Sequence, residues 1–218
     1  MIYKLIVIFN VALYVFSSCN NNLTNPTPNN SPFVTIGSQV WMRKNLDVDH
    51  YRNGDSIPEV RDSMQWAKLK TGAWCYYNND PAMGAIYGKL YNWYAVNDSR
   101  GLAPLGQHIP SDSEWKILVN FLGGDYNASD KLKEAGTLHW QSPNTHASNE
   151  SGFTALPGGI RYNDNGKYVN IGERSCWWSS KEINEQVSVS LYLTYDRSSL
   201  GWFCHYKEYG FSVRCLKD

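Results

Sequence analysis

The sequence predicts an α+β fold with small antiparallel sheets, a few short helices and a long irregular loop region. Three observations carry this. Ser111-Asp112-Ser113-Glu114 opens a helical pattern. Val187, Val189 and Leu191 alternate with polar neighbours in a strand pattern. The stretch from Trp140 to Ser175 is rich in Gly, Asn and Ser and shows no sustained period.

In chain order, Val34-Thr35-Ile36 and Gln39-Val40-Trp41-Met42 flank Gly37-Ser38, a two-residue turn between β-formers and hence a hairpin. Met64 to Lys70 suits a short helix, and Trp74 to Tyr77 a strand. Ala85 to Val96 carries six large apolar residues and fits either state. At Ser111 the spacing is that of a capping box: the hydroxyl accepts from the amide three residues on and Glu114 reaches back. Trp115, Leu118, Val119 and Leu122 then recur at helical spacing until Gly123-Gly124. A second helix is expected from Ser129 to Ala135, stopped by Gly136. Further strands are expected at 187–192, at Trp202 to Tyr206 and at Phe211 to Leu216.

Residues 1–18 read as a secretory signal, with Lys4, an apolar run from Leu5 to Phe16 and small Ser17 and Ser18. The run of about a dozen residues is shorter than the roughly 20 of a membrane span. Phe16-Ser17-Ser18-Cys19 resembles a bacterial lipobox, which makes Cys19 the expected lipidation site. Residues 19–32 then form a tether, NNNLTNPTPNNSP after the cysteine, with too little apolar surface to fold. They hold no acidic residue, which favours an outer-membrane anchor facing the periplasm. Residues 33–218 are the folded domain.

The chain holds 20 basic and 20 acidic residues and no basic block, which argues against a nucleic-acid partner. Nine tryptophans suit carbohydrate stacking, although most large rings in a domain are core. Trp140, Tyr162 and Trp202, each in or beside Gly/Asn-rich sequence, are the candidate contacts for a glycan or protein ligand. Asp80, Asp112, Asp164 and Glu182 are candidates for acid–base work, but none belongs to a recognisable pair. The five histidines form no metal-binding spacing, and the cysteines match no zinc module. No catalytic residue, metal site or cofactor is assigned, apart from the scope for a structural calcium in the loop region.

Eight motifs in one order resemble the Fibrobacter succinogenes major paralogous domain. They are IGSQVWMRKNLDV, WCYYNNDP, YGKLYNWYAVND, APLGQHIPSDSEW, FLGG, GFTALPGGIRY, WWSSKE and GFSVRCLKD. Gln107 and Lys181 stand where members often have Trp and Thr. HIPSDSEW with its following helix, and Gly210-Phe211-Ser212, more distantly resemble segments of formylglycine-generating enzymes. The latter similarity implies a C-type-lectin-like fold, and the expected function is an exported lipoprotein with a non-catalytic, lectin-like binding module for glycan or protein; an oxidase or hydrolase of the formylglycine-generating-enzyme type is a remote alternative. A structural or adhesive envelope protein is the alternative. The close cysteine pair of the oxidase class is missing: Cys204 and Cys215 are eleven apart. Gln141-Ser142-Pro143-Asn144 faintly resembles the sugar-binding triplets of C-type lectins, without their partner triplet.

Four cysteines follow Cys19, which allow three connectivities. Cys75 and Cys215 belong to family motifs, whereas Cys176 and Cys204 are additions, so the resemblance implies Cys75–Cys215 and Cys176–Cys204 disulfides. Asp55-Ser56-Ile57 and Asp62-Ser63-Met64 match the three-residue acceptor pattern of periplasmic O-glycosylation in Bacteroidota, with Ser56 and Ser63 as the acceptors.

Overall fold

Gly37 turns the first hairpin with a φ of 60°. A Cβ there would come within 2.9 Å of the Phe121 ring, so the position needs glycine for both conformation and space. The structure, a computed structural model, describes residues 31–218. The signal segment, the Cys19 anchor and most of the tether lie outside the described residues.

The hairpin joins β1 (Phe33–Ile36) to β2 (Gln39–Met42). β2 pairs with β11 (Leu216–Lys217), which pairs in turn with β5 (Gln107–His108), giving a four-stranded antiparallel sheet of order β1-β2-β11-β5. A second ribbon pairs β3 (Trp74–Cys75) with β4 (Leu90–Tyr91), and a third pairs β6 (Gly158–Arg161) with β7 (Tyr168–Ile171). The largest strands, β8 (Arg174–Glu182), β9 (Val187–Thr194) and β10 (Gly201–Tyr206), form a sheet of order β10-β9-β8. The described fold is thus α+β with small antiparallel sheets and few helices.

The helices follow their caps. Asp62 accepts from the Gln65 amide and starts α1 (Ser63–Ala67). The ambiguous segment 85–96 resolves into parts of three elements. α2 (Pro81–Tyr87) ends at Gly88, whose φ is 74°; β4 follows; and the Asn92 side chain caps α3 (Trp93–Val96). Pieces this short carry no readable period. α4 (Asp112–Phe121) has both arms of the Ser111–Glu114 capping box. The Gly123-Gly124 pair stops α4 as expected but only redirects the chain, because α5 (Gly124–Leu132) starts at once. It runs five residues ahead of the expected start and ends before Ala135. The expected strand at Phe211–Leu216 is also corrected. Phe211 and Ser212 make single bridges to Tyr91 and Trp177, and only Leu216 and Lys217 enter a ladder.

The three-stranded sheet divides the core. Trp177, Leu191 and Leu193 project to one face and join Trp41, Trp115, Leu118, Trp140 and Phe153. Cys176 and Trp178 project to the other and join Trp93, Phe211, Val213 and Cys215. A smaller cluster gathers Val60, Trp66, Ala73, Cys75, Tyr77 and Leu90. Within the first, the Trp41 and Trp115 rings are 4.6 Å apart and Phe153 meets Trp177 edge-on at 5.8 Å. Such ring pairs add about 0.5–1.5 kcal/mol each beyond the area they bury.

The family-like motifs meet here. Arg214, from GFSVRC, is 1 % exposed and has no carboxylate partner among the described residues. It donates to Asn45 Oδ1 through Nε (3.1 Å) and Nη2 (2.8 Å), and through Nη1 to the carbonyls of Met42 (3.0 Å) and Phe153 (2.8 Å). Trp177 Nε1 donates to the same Asn45 oxygen at 2.9 Å. Burial pushes the guanidinium pKa down to about 9. Four motifs distant in sequence are therefore bound into one buried polar knot.

The cysteine pairings are overturned. Cys75, Cys176, Cys204 and Cys215 are all free thiols. Cys176 is opposite Tyr192 and Cys204 opposite Val189, so their side chains leave opposite faces of the sheet with β9 between them. Two strand spacings place them about 10 Å apart laterally, beyond the roughly 7 Å limit between Cα atoms of a disulfide. Cys75 faces the cluster of Trp66 and Leu90, whereas Cys215 is buried with Trp93 and Val213.

Candidate functional site

A cleft of about 440 Å³ has walls that come from five separate segments. Trp93 and Tyr94 open α3, with Trp93 buried beneath the floor and half-buried Tyr94 supplying the aromatic wall; Lys70 and Gly72, Asp98 and Arg100, Glu182 and Lys207 line the cleft with them. α3 is placed by Asn92, whose side chain accepts from the amides of Ala73 and Ala95 and donates to the Thr71 carbonyl at 2.8 Å. The indole of Trp93 is buried and donates to the Ser179 carbonyl at 2.9 Å.

The charges of the cleft are paired. Glu208, itself buried, accepts from Tyr94 OH at 2.9 Å and from Lys70. Lys207, 4 % exposed, pairs with Glu182 and lies 4.7 Å from the Trp93 ring centre. Arg100 pairs with Asp98 at 2.8 Å and Asp55 at 3.2 Å while covering the Tyr51 ring. Hydrogen bonding to Arg100 pushes the Asp98 carboxyl down to about 2, and burial pushes the Tyr51 phenol up to about 12. A general acid needs the opposite shift, towards neutrality. What the cleft offers is a row of fixed donors and acceptors beside an aromatic surface.

A second, shallower groove of about 300 Å³ lies between α4 and β10, lined by Asp112, Lys116, Val189, Trp202, Phe203 and Cys204. Trp202 is half-buried there, with Lys116 5.9 Å from its ring centre and its Nε1 3.4 Å from Asp125 Oδ1.

The three sequence candidates do not converge. Trp140 is 1 % exposed and donates from its indole to the Ala155 carbonyl at 2.9 Å, so it is a core residue and no surface contact. Tyr162 is half-buried against Tyr209, 5.7 Å away. Trp202 alone lines a groove, on the opposite side of the sheet from Tyr209. Of the acidic candidates, Asp80 caps α2, Asp112 pairs with Lys116 at 3.3 Å, Asp164 is exposed and Glu182 holds Lys207. In the lectin-like triplet Asn144 is turned inward, donating to the carbonyls of Glu134 (2.8 Å) and Gly136 (2.6 Å). Among the described residues no three His, Cys, Asp or Glu side chains gather as a metal site. Ser56 is exposed on the rim of the cleft, 3.1 Å from His50 Nε2, while Ser63 is half-buried in the first turn of α1.

Residues 34–217 match the family described as the Fibrobacter succinogenes major domain. The chain belongs to that family. No curated protein and no solved structure gives a match. Membership in the Fibrobacter succinogenes major domain family points to a cell-envelope protein and attaches no reaction to it. Sequence reading missed Tyr94, Arg100, Lys207 and Glu208 as site residues. Their local signal was an aromatic run next to paired charges, and only the fold brings residues 70, 94–100, 182 and 207–208 to one cleft.

Proposed function

We propose that the protein is an exported envelope lipoprotein, anchored through Cys19 to the periplasmic face of the outer membrane. Its domain, read as lectin-like, serves as a non-catalytic binding module. The ligand is a polar, hydroxyl-rich molecule of the glycan class, held in the 440 Å³ cleft. The observation that supports this most is the pairing of every cleft charge beside the half-buried Tyr94 ring. Such a surface exchanges neutral hydrogen bonds and ring contacts with a sugar without needing an opposite charge. The test is a glycan array read against the wild type and Tyr94→Ala. Saturable binding that Tyr94→Ala weakens about tenfold is expected from the loss of one ring contact and one hydrogen bond. Binding unaffected by that change, or no glycan bound, refutes the assignment. For the anchor, Cys19→Ala should move the protein to the soluble periplasmic fraction, and retention after a carbonate wash refutes it.

A second reading, an adhesive protein without a small ligand, is supported by the edge strand β10, where Phe203 is 55 % and Tyr206 50 % exposed. Protein partners recovered by pull-down and lost on Phe203→Ser would favour it.

A further inference from the structure

At the outer end of the three-stranded sheet, Arg174 on β8 is directly opposite Thr194 on β9. Residues so paired project to the same face with Cβ atoms about 5 Å apart. Cys176 and Tyr192 are the next such pair on that face. The Arg174 guanidinium lies over the Tyr192 ring, 5.3 Å from its centre. Its Nε is closed to solvent and has no hydrogen-bond partner among the described residues. Nor does the guanidinium enter an ion pair with any described carboxylate. The Thr194 hydroxyl is likewise buried and unpartnered, on a residue 8 % exposed. Both side chains line one pocket of about 150 Å³, and Arg197 stands at the same pocket.

Buried polar groups are almost always hydrogen-bonded, so two adjacent orphan donors on one face demand a reason. One of the two belongs to a cation that makes no ion pair among the described residues. Glu173 and Asp196 line the same pocket but turn to other partners: Glu173 Oε2 accepts from Asn170 at 2.9 Å, and Asp196 is 4.0 Å from Arg197. We propose that this pocket binds the carboxylate group of a small organic acid, with the two terminal Nη groups of Arg174 as the fork and Thr194 as a hydroxyl donor. A planar carboxylate matches the paired N–H groups of arginine. The stacked Tyr192 ring holds the guanidinium plane in place. The volume equals the liquid share of about five waters, room for a carboxylate and the atoms it is attached to. Glu173 and Asp196 line the same pocket and disfavour added negative charge, which selects a singly charged carboxylate over a phosphate. The site shares no lining residue with the cleft of Tyr94. It stands whether or not that cleft binds glycan.

The test is calorimetric titration of the full protein with acetate, glucuronate, inorganic phosphate and glucose at low ionic strength. Acetate and glucuronate should bind to saturation, with phosphate weaker. Tighter glucuronate binding identifies a sugar acid as the source; equal affinities identify any small carboxylate. Arg174→Met should weaken both acids about ten- to hundredfold, the loss expected for a charged hydrogen-bond pair. Thr194→Val, which keeps the shape, should weaken them about threefold to tenfold. Arg174→Lys, which keeps the charge and loses the fork, should fall between wild type and Arg174→Met and covers the case in which Arg174→Met does not fold. Tyr94→Ala should leave acid binding unchanged. No saturable binding of either acid, affinity unchanged in the Arg174 variants, or phosphate bound as tightly as acetate overturns the proposal.

Discussion

Replacing Asn45 by alanine removes the centre of the buried knot. Its Oδ1 accepts three hydrogen bonds, from Trp177 Nε1 and from Arg214 Nε and Nη2. Its Nδ2 donates to the Tyr87 carbonyl at 2.8 Å and to Ser212 Oγ at 3.2 Å. In Asn45→Ala the Trp177 N–H is left bare, at about 1–3 kcal/mol. Two guanidinium N–H groups of a buried cation are left bare as well. Stripping the partner of a buried charge costs about 3–5 kcal/mol. These losses overlap, because Arg214 keeps its two carbonyl acceptors. A destabilisation of about 4 kcal/mol follows, a large share of the roughly 5–15 kcal/mol a domain has. Asn45→Asp should cost far less, about 1–2 kcal/mol. It keeps all three acceptor positions and gives Arg214 a counter-charge, losing the donations to Tyr87 and to Ser212. Urea titration followed by tryptophan fluorescence measures both, at constant m. An Asn45→Ala variant within about 1 kcal/mol of wild type, or an Asn45→Asp variant as damaged as it, would refute the reasoning.

Ser111→Ala removes the hydroxyl arm of the α4 box, leaving the backbone arm to Glu114, and should cost about 1 kcal/mol, read as a lower urea midpoint. Lys133→Met should cost about 3 kcal/mol, because the buried ammonium donates to the carbonyls of Thr145 (2.8 Å), Arg197 (3.0 Å) and Thr194 (3.4 Å); since this cation already ties the loop region, a chelator should leave the wild-type melting temperature unmoved. Burial, with a smaller contribution from Arg174, pushes His205 down to about 4 from the ordinary 6.5. Its contribution is therefore complete above pH 6.5 and is lost as the pH falls to about 4, where the unfolded chain binds the extra proton. His205→Gln should flatten that part of the stability-versus-pH curve. Alkylation of the native protein, followed by peptide mapping, should label Cys204 alone among residues 75, 176, 204 and 215, and all four after denaturation. A linked cysteine peptide would restore the disulfide reading.

Where a single local rule decides an element, the sequence told it correctly. The Ser111 box and the Gly37 turn each satisfy their own backbone groups without help from the rest of the chain. β8 was opaque for the opposite reason. Residues 175–179 are buried on both faces, so WWSS carries no alternation to read. Trp140 misled because Gly/Asn-rich surroundings suggest exposure, while its indole reaches the Ala155 carbonyl fifteen positions on. Counting which cysteines belong to family motifs says nothing about where each is buried: opposite sheet faces separate Cys176 from Cys204, and different core clusters hold Cys75 and Cys215. The cleft was invisible because its charges come from stretches that look, one at a time, like ordinary solvated sequence.

In the four-stranded sheet, β11 is the last in chain order of the eleven strands among the described residues, yet it lies between β2 and β5. Until Leu216 arrives opposite both Trp41 and His108, those two strands are separate edges with one strand's width between them. A chain threaded outward with its early residues first would hold that slot open throughout its passage. Closure comes only as the final segment slides in, carrying Arg214 to Asn45 on the way. The architecture resembles a clasp: the early and late parts of the domain must be present together before either is secured, so partial products should be soft, protease-sensitive and prone to recruit a foreign strand into the gap.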